Sequence, residues 1–247
     1  MEFISKQRRL SQQKGFGVQY LPGHVEPFVD LVISNYLPKN GKILDLGGGG
    51  LRFALPVALQ GREVSVVDLD RSGLDVEMVV NRVNENDGTS LDSKDLLTLI
   101  EIHESDVLGF LRTNRQPHTL ITSFRVAHFM QPHEISELFR LIHRALVSDG
   151  LFAFSAMTSY NLPDKIEFNE LFVNSEPVST STPLHRRFLD TQAAEDVRAG
   201  QNLMKEIHLV DSDFVATHAH NAGFEVIVDS YQSTRIVSGF IMKKLGE

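Results

Sequence analysis

Apolar residues along the chain follow two periods, one typical of amphipathic helices and one typical of short buried strands. Helical spacing is strongest over 133–147, and Asp149 and Gly150 end that pattern. Short apolar runs such as the valine-rich 63–69 predict buried strands. The pattern as a whole predicts helices over 24–36, 52–60, 74–84, 107–113, 133–147 and 211–222, and strands over 42–46, 63–69, 97–103, 118–123, 151–156, 224–231 and 235–243.

The order of these elements predicts an α/β fold. Strands that alternate with helices form a parallel sheet covered on both faces. The strands 224–231 and 235–243 are too close in the chain for a parallel crossover, so we expect them to pair antiparallel. The prediction is a doubly wound, mostly parallel seven-stranded sheet that ends in an antiparallel strand pair.

Two segments fall outside this alternation. Residues 1–22 are polar and interrupted by glycine and proline, and residues 157–206 have no clear periodicity. A chain of 247 residues is long enough for one generous domain. We therefore expect a single domain over 1–247, with an N-terminal arm at 1–22 and a substrate-side insertion at 157–206.

Composition excludes several classes of function. The chain has no cysteine, which excludes disulfides, thiolate metal sites and thiol nucleophiles. Its net charge of −8 makes a nucleic-acid partner improbable. No apolar run approaches the ~18–20 residues that span a bilayer, and the N-terminus lacks the apolar core of a signal peptide. We expect a soluble cytoplasmic protein that does not insert into membranes, and the sequence does not indicate its oligomeric state.

A glycine run between a strand and a helix indicates a nucleotide site. Gly47, Gly48, Gly49 and Gly50 follow the strand 42–46, and glycines let a ligand approach the backbone closely. Asp68 ends the next strand about 20 residues later, where a carboxylate can accept both hydroxyls of a ribose. A tight turn and a solvated aspartate are the alternative interpretations of the same residues.

Several segments together resemble the class I S-adenosylmethionine-dependent methyltransferases. KILDLGGGG resembles their first motif, VVDLD the second and ESDV the third. LITSFRVAHF resembles the segment around the fourth strand, and LIHRALVSDGLFAFS resembles the helix, turn and fifth strand. The resemblance covers 42–156 well and 211–245 more loosely. It implies a seven-stranded Rossmann-like sheet whose seventh strand is antiparallel and lies beside the fifth.

The resemblance also implies S-adenosylmethionine as cofactor and a set of residues that contact it. Asp45 precedes the glycine loop, Asp68 with Leu69 meets the ribose, and Asp106 lies near the adenine amino group. Val107 donates its backbone N–H, and Ser123 lies in the segment that lines the site beside the transferred methyl. The cofactor-binding residues implied are Asp45, Gly47, Gly48, Gly49, Asp68, Leu69, Asp106, Val107 and Ser123.

The chain departs from the family pattern at two positions. Leu51 stands where the glycine loop usually has a third small residue, and Thr119 stands where a carboxylate is common at the start of the fourth strand. The competing dinucleotide pattern G-x-G-x-x-G fails in both registers, because Arg52 or Phe53 stands at its third glycine. An NAD-type oxidoreductase is therefore disfavoured.

Methyl transfer requires alignment of the partners and exclusion of water rather than a covalent intermediate. A general base is needed only when the acceptor arrives protonated, and His128, after the fourth strand, is the candidate. A histidine packed at a helix start is the equal alternative. His218 and His220 point to different faces of a helix, so no metal site is expected.

The candidate substrate residues lie in the arm and the insertion. Tyr20 is placed to close over the cofactor, and His185, Arg186 and Arg187 are placed to hold an anionic group. A solvated face, or pairing with nearby carboxylates, explains the same run. The function expected is O- or N-methylation of a small molecule. A methyltransferase that acts on protein or tRNA, and a non-catalytic protein that binds the cofactor, remain alternatives.

Overall fold

We describe a computed structural model of the protein, over residues 26–69, 74–87, 92–159, 170–177, 179, 206–234 and 237–246. The helices, α1 to α7 in chain order, are Pro27–Asn35, Ala54–Ala58, Val76–Asp87, Ser93–Leu97, Val107–Thr113, Pro132–Ala145 and Ser212–Asn221. The strands, β1 to β10, are Ile43–Leu46, Val64–Asp68, Ile100–Glu104, His118–Phe124, Leu146–Met157, Glu170–Val173, Glu176–Pro177, Glu206–Leu209, Phe224–Thr234 and Val237–Lys244. A 3-10 turn, Ala127–Phe129, precedes α6.

The main sheet has seven strands in the order β3-β2-β1-β4-β5-β10-β9. Strands β1 to β5 are parallel, and β10 is antiparallel to both β5 and β9. This confirms the predicted doubly wound sheet, its antiparallel strand pair, and the place of the last strand beside the fifth. The strand order reverses between β1 and β4, and ligands of such sheets bind at the carboxyl ends of the strands near this point.

Helices cover both faces of the sheet. Helices α1 to α4 pack on one face, with Phe28 and Leu55 in the core between helix and sheet. Helices α5 to α7 pack on the other face through Leu111, Phe139 and Phe214. Helix α1 reaches β10 closely, because a Cβ on Gly239 would lie 2.3 Å from the Phe28 ring. No described helix is long and apolar enough to cross a membrane.

Among the boundaries that differ from the sequence pattern, two change the type of element. Strand β5 begins at Leu146, inside the helix predicted to continue to 147, because Leu146 pairs with His118 of β4. The strand predicted over 97–103 begins only at Ile100. Residues 93–97 instead form the short helix α4, which the Asp92 carboxylate caps by accepting a hydrogen bond from the Lys94 backbone.

A second, three-stranded sheet joins residues 170–177 to 206–209, in the order β7-β6-β8. Strand β6 pairs antiparallel with β7 and parallel with β8. More than 30 residues separate β6 from β8, which is enough for the crossover that a parallel pair requires. The His208 ring of β8 stacks on Phe172 of β6 at a centroid distance of 4.5 Å. The sequence pattern did not predict this sheet, since strands of two to four residues carry too little periodicity.

Candidate functional site

The glycine loop connects β1 to α2 at the carboxyl edge of the main sheet. Its first two glycines are tied to β2, because Gly47 and Gly48 donate their backbone N–H groups to the Val67 carbonyl over 2.7 and 3.3 Å. Gly47 and Gly49 have left-handed φ angles of 74° and 49°. The loop therefore needs glycine for its conformation at two positions.

Close packing also requires glycine at positions 47 and 48. A Cβ on Gly47 would lie 2.2 Å from Val126 Cγ2, and one on Gly48 would lie 2.1 Å from Val66 Cγ1. Around Gly49, by contrast, the nearest atom to such a Cβ is the Gly47 carbonyl oxygen at 3.9 Å. The loop is thus packed against protein at its start and open at Gly49, as a backbone that receives a ligand should be.

Leu51 takes the left-handed conformation without being glycine. Its φ is 58°, and its side chain is fully buried in the same core as Phe28 and Phe53. The loop consequently keeps the backbone shape that a small residue would allow, at the cost of a strained φ. The leucine side chain is part of the hydrophobic core.

Asp68 connects the end of β2 to the glycine loop. Its Oδ2 accepts a hydrogen bond from the Gly49 backbone N–H at 2.8 Å, and its side chain is half-buried. Leu69 follows it with 61% of its surface exposed. The structure thus brings together the loop, a carboxylate and an apolar surface, which is a suitable arrangement for a ribose and its base.

Asp45 lies beneath this loop and is 3% exposed. Its Oδ1 accepts a hydrogen bond from the Thr122 hydroxyl at 2.7 Å. Burial raises the pKa of Asp45 from 3.8 to about 7, Thr122 opposes that shift, and the Asp68 charge adds to it. Thr122 lies on β4, 77 residues further along the chain, so no local sequence pattern marks it as a partner of Asp45.

Asp106 and Val107 begin α5 at the carboxyl end of β3. The Asp106 Oδ1 caps the helix by accepting from the Gly109 backbone N–H at 2.6 Å, and the residue is exposed. Val107 buries its side chain in the core, and its N–H is among those that a helix start leaves without an intrahelical acceptor. The Ser105 N–H donates to the Asp68 carbonyl at 3.0 Å, so this corner adjoins Asp68.

Ser123 and His128 lie at the carboxyl end of β4 and just beyond it. Both are buried, and within the described residues neither the Ser123 Oγ nor the His128 Nδ1 has a hydrogen-bond partner. Burial lowers the pKa of His128 to about 3, with smaller contributions from Arg125 and His208. His128 is therefore neutral at physiological pH. Thr119 lies at the opposite, amino end of β4, where its hydroxyl donates to the Lys42 carbonyl.

Two further buried polar groups, His208 and Glu26, adjoin the end of β4 but lie far from it along the chain. His208, on β8, is 2% exposed, and its charge opposes protonation of His128. Glu26, at the start of α1, is 4% exposed, and its Oε2 lies 2.8 Å from Arg125 Nε. These partners lie about 80 to 100 residues from the β4 end along the chain, so no spacing pattern could join them.

The candidate substrate residues Tyr20, His185, Arg186 and Arg187 lie outside the described residues. In the described parts of the chain, no group of three or more histidine, aspartate or glutamate residues is arranged to hold a metal ion. His218 contacts the Ser136 hydroxyl on α6 through Nε2, whereas His220 is exposed.

Comparison with known proteins supports this description at the level of fold. No family model matches the chain, and no curated protein matches it by sequence. Similar solved structures include a possible exported protein from Bordetella parapertussis (TM-score 0.57, 16% identity, 89% of this chain and 66% of that one). An O-methyltransferase family protein from Burkholderia thailandensis matches with TM-score 0.56 and 16% identity, over 90% of this chain and 56% of that one.

The glycopeptide N-methyltransferase MtfA, solved with S-adenosyl-L-homocysteine, matches with TM-score 0.55 and 14% identity, over 89% of each chain. The chain thus spans less than two thirds of the length of the first two proteins and most of the length of the third. At these identities the similarity establishes the fold alone. The protein has the class I methyltransferase fold.

Proposed function

We propose that the protein is an S-adenosylmethionine-dependent methyltransferase whose acceptor is a small molecule, methylated at oxygen or nitrogen. The observation that carries the proposal is the link between the open glycine loop and the Asp68 carboxylate, made by the Gly49 N–H at 2.8 Å. It lies at the strand-order reversal of a sheet with the class I methyltransferase fold.

The described residues fit this cofactor. The glycine loop gives backbone access at Gly49, Asp68 offers a carboxylate for the ribose, and exposed Leu69 offers an apolar surface beside the base. Asp106 and the Val107 N–H lie at the next strand end for the adenine edge. When bound, S-adenosylmethionine supplies an activated methyl group, so the chain has only to orient the acceptor and exclude water.

The acceptor would lie at the end of β4. Ser123 Oγ and His128 Nδ1 are buried there without hydrogen-bond partners among the described residues, and such atoms need an explanation in a native protein. A bound acceptor would satisfy them. His128 is neutral, but a histidine with a pKa of about 3 is too weak a base to remove the proton of a hydroxyl near neutral pH. We therefore propose that His128 positions a hydroxyl acceptor by a hydrogen bond, and the expected role of general base is not supported.

The net charge of −8, which is unsuited to tRNA, favours a small acceptor over a nucleic acid. Leu51, where the family has a small residue, would favour a non-catalytic role if it distorted the glycine loop. In the structure, however, the Leu51 side chain is buried in the core and the loop keeps its left-handed turn. This geometry favours a working site over a degenerate one.

The first experiment is a comparison of ligands by thermal unfolding. S-adenosylhomocysteine at 100 times its Kd should stabilise the protein by roughly 2.7 kcal/mol, whereas NAD should have no effect. A response to NAD alone would refute the proposal. Transfer of a labelled methyl group from S-adenosylmethionine to a library of small acceptors then separates an enzyme from a protein that only binds the cofactor.

A further inference from the structure

Arg125 lies where the end of β4 meets the glycine loop. Its backbone N–H donates to the Ser155 carbonyl of β5 at 2.8 Å, and the next side chain, Val126, packs over Gly47. Its φ is 60°, a left-handed value that an arginine rarely adopts. Strained backbone of this kind concentrates at functional sites, which makes the Arg125 side chain a candidate for a role in the site.

Glu26 holds the Arg125 guanidinium from one side only. The Glu26 Oε2 lies 2.8 Å from Nε, and the two side chains are 2% and 18% exposed, respectively. Within the described parts of the chain, neither terminal amino group of Arg125 makes a hydrogen bond. A guanidinium presents five N–H donors in a fixed plane, so this arrangement leaves its terminal fork available.

Arg52 adds positive charge to the same place. Its Nη1 lies 3.9 Å from the same Glu26 oxygen. Burial lowers the pKa of Arg52 to about 9, and repulsion from Arg125 contributes to this shift. Two guanidinium groups that repel each other in a partly buried site gain from an added anion, since an opposite charge favours the charged form of both.

We infer that the Arg125 guanidinium binds a carboxylate group of the methyl acceptor, so that acceptors of this protein are small carboxylic acids. The inference rests on the proposed function and adds to it the chemical class of the acceptor. A carboxylate matches the planar fork with two parallel hydrogen bonds, while Glu26 fixes the orientation of the fork from behind. Arg125 is then a specificity residue that positions the acceptor beside the glycine loop.

The test uses benzoate as the probe and benzamide as its uncharged match, titrated into the full chain saturated with S-adenosylhomocysteine at constant ionic strength. Calorimetry should show that benzoate binds and that benzamide binds at least ~10-fold more weakly, because a charge-assisted pair is lost. Arg125→Gln should lose this preference while its affinity for S-adenosylhomocysteine stays within about threefold. Arg140→Gln, on the exposed face of α6, should behave like the wild type.

The double variant Glu26→Gln/Arg125→Gln guards against misfolding, since it removes both charges and leaves no buried carboxylate unpaired. Equal binding of benzoate and benzamide by the wild type would overturn the inference, as would unchanged benzoate binding in Arg125→Gln or in the double variant.

The carboxylate of the cofactor's amino acid end is the other possible source of the anion. Arg125→Gln would then weaken S-adenosylhomocysteine but not 5′-methylthioadenosine, which lacks that carboxylate, and this result would also overturn the inference. If the wild type does not bind S-adenosylhomocysteine, the proposed function fails. Benzoate binding that depends on Arg125 would still identify the anion site in that case.

Discussion

Replacing Asp68 with alanine tests the cofactor site most directly. In the structure the Asp68 carboxylate holds the Gly49 N–H at 2.8 Å, and we expect the ribose hydroxyls to donate to the same group. Each hydrogen bond to a charged acceptor contributes about 1.5–3 kcal/mol. Because water replaces part of two such bonds, we expect a net loss of about 2–3 kcal/mol, or roughly 30- to 150-fold in Kd.

Asp68→Asn removes the negative charge of the side chain and nearly keeps its shape. An amide oxygen can still accept from the Gly49 N–H, so the loop should keep its position while one charge-assisted contact weakens. We expect a loss of about 1–2 kcal/mol, roughly 5- to 30-fold in Kd. Titration calorimetry with S-adenosylhomocysteine measures both variants, and circular dichroism verifies that they fold.

Asp213→Ala is the matched control, because Asp213 is an exposed aspartate in the first turn of α7, on a different part of the fold. Its affinity for S-adenosylhomocysteine should equal that of the wild type. If a folded Asp68→Ala bound as tightly as the wild type, or if Asp213→Ala were equally impaired, the ribose assignment would be wrong.

Three further predictions concern stability. Burial raises the pKa of Asp45 to about 7, so Asp45 contributes stability that is lost as pH rises from about 4 to 7, by roughly 1.4 kcal/mol per pH unit. In urea unfolding the stability of the wild type relative to Asp45→Asn should fall with that slope, and a constant difference would contradict the assignment. Burial lowers the pKa of His128 to about 3, so His128 contributes stability that is lost as pH falls from 6.5 towards 3. The stability of the wild type relative to His128→Gln should fall over that range, and imidazole NMR shifts that titrate near pH 6.5 would contradict it. Leu51→Ala and Leu51→Gly should each lower the free energy of unfolding by about 2–5 kcal/mol, because both remove core packing. The glycine variant should be more stable than the alanine variant by about 1 kcal/mol, because glycine relieves the strain of the φ of 58°. The reverse order in urea unfolding would exclude the left-handed backbone.

The sequence predicted the parts of this protein that depend on neighbours along the chain. The alternation of strands and helices, the glycine loop after β1 and the carboxylate that ends β2 are local patterns, and the structure has all three, with shifted starts at β3 and β5. The cofactor contacts expected of Asp68, Asp106 and Ser123 stay predictions, since they concern a ligand.

The rest depends on contacts that cross the sheet. Thr122 meets Asp45 from the adjoining strand, Glu26 meets Arg125 from the residue before the first helix, and His208 adjoins His128 from β8, just after the expected insertion. No period of two or 3.6 residues carries information about such pairs. Leu51 is a different case, because a leucine in sequence gives no hint that its backbone takes a glycine-like angle.

The position of β10 has a consequence for biosynthesis. This strand is the last described strand to leave the ribosome, yet it lies inside the sheet, between β5 and β9. Until it is synthesised, the apolar edge of β5 stays unpaired and open to association with other chains. Helix α1 also cannot dock before β10 is made, because Phe28 packs on Gly239 of β10. Glu26 in turn reaches Arg125 only once α1 has docked. The nascent protein should therefore be prone to aggregate until β10 emerges, and truncation before β10 should yield aggregates rather than a smaller folded domain.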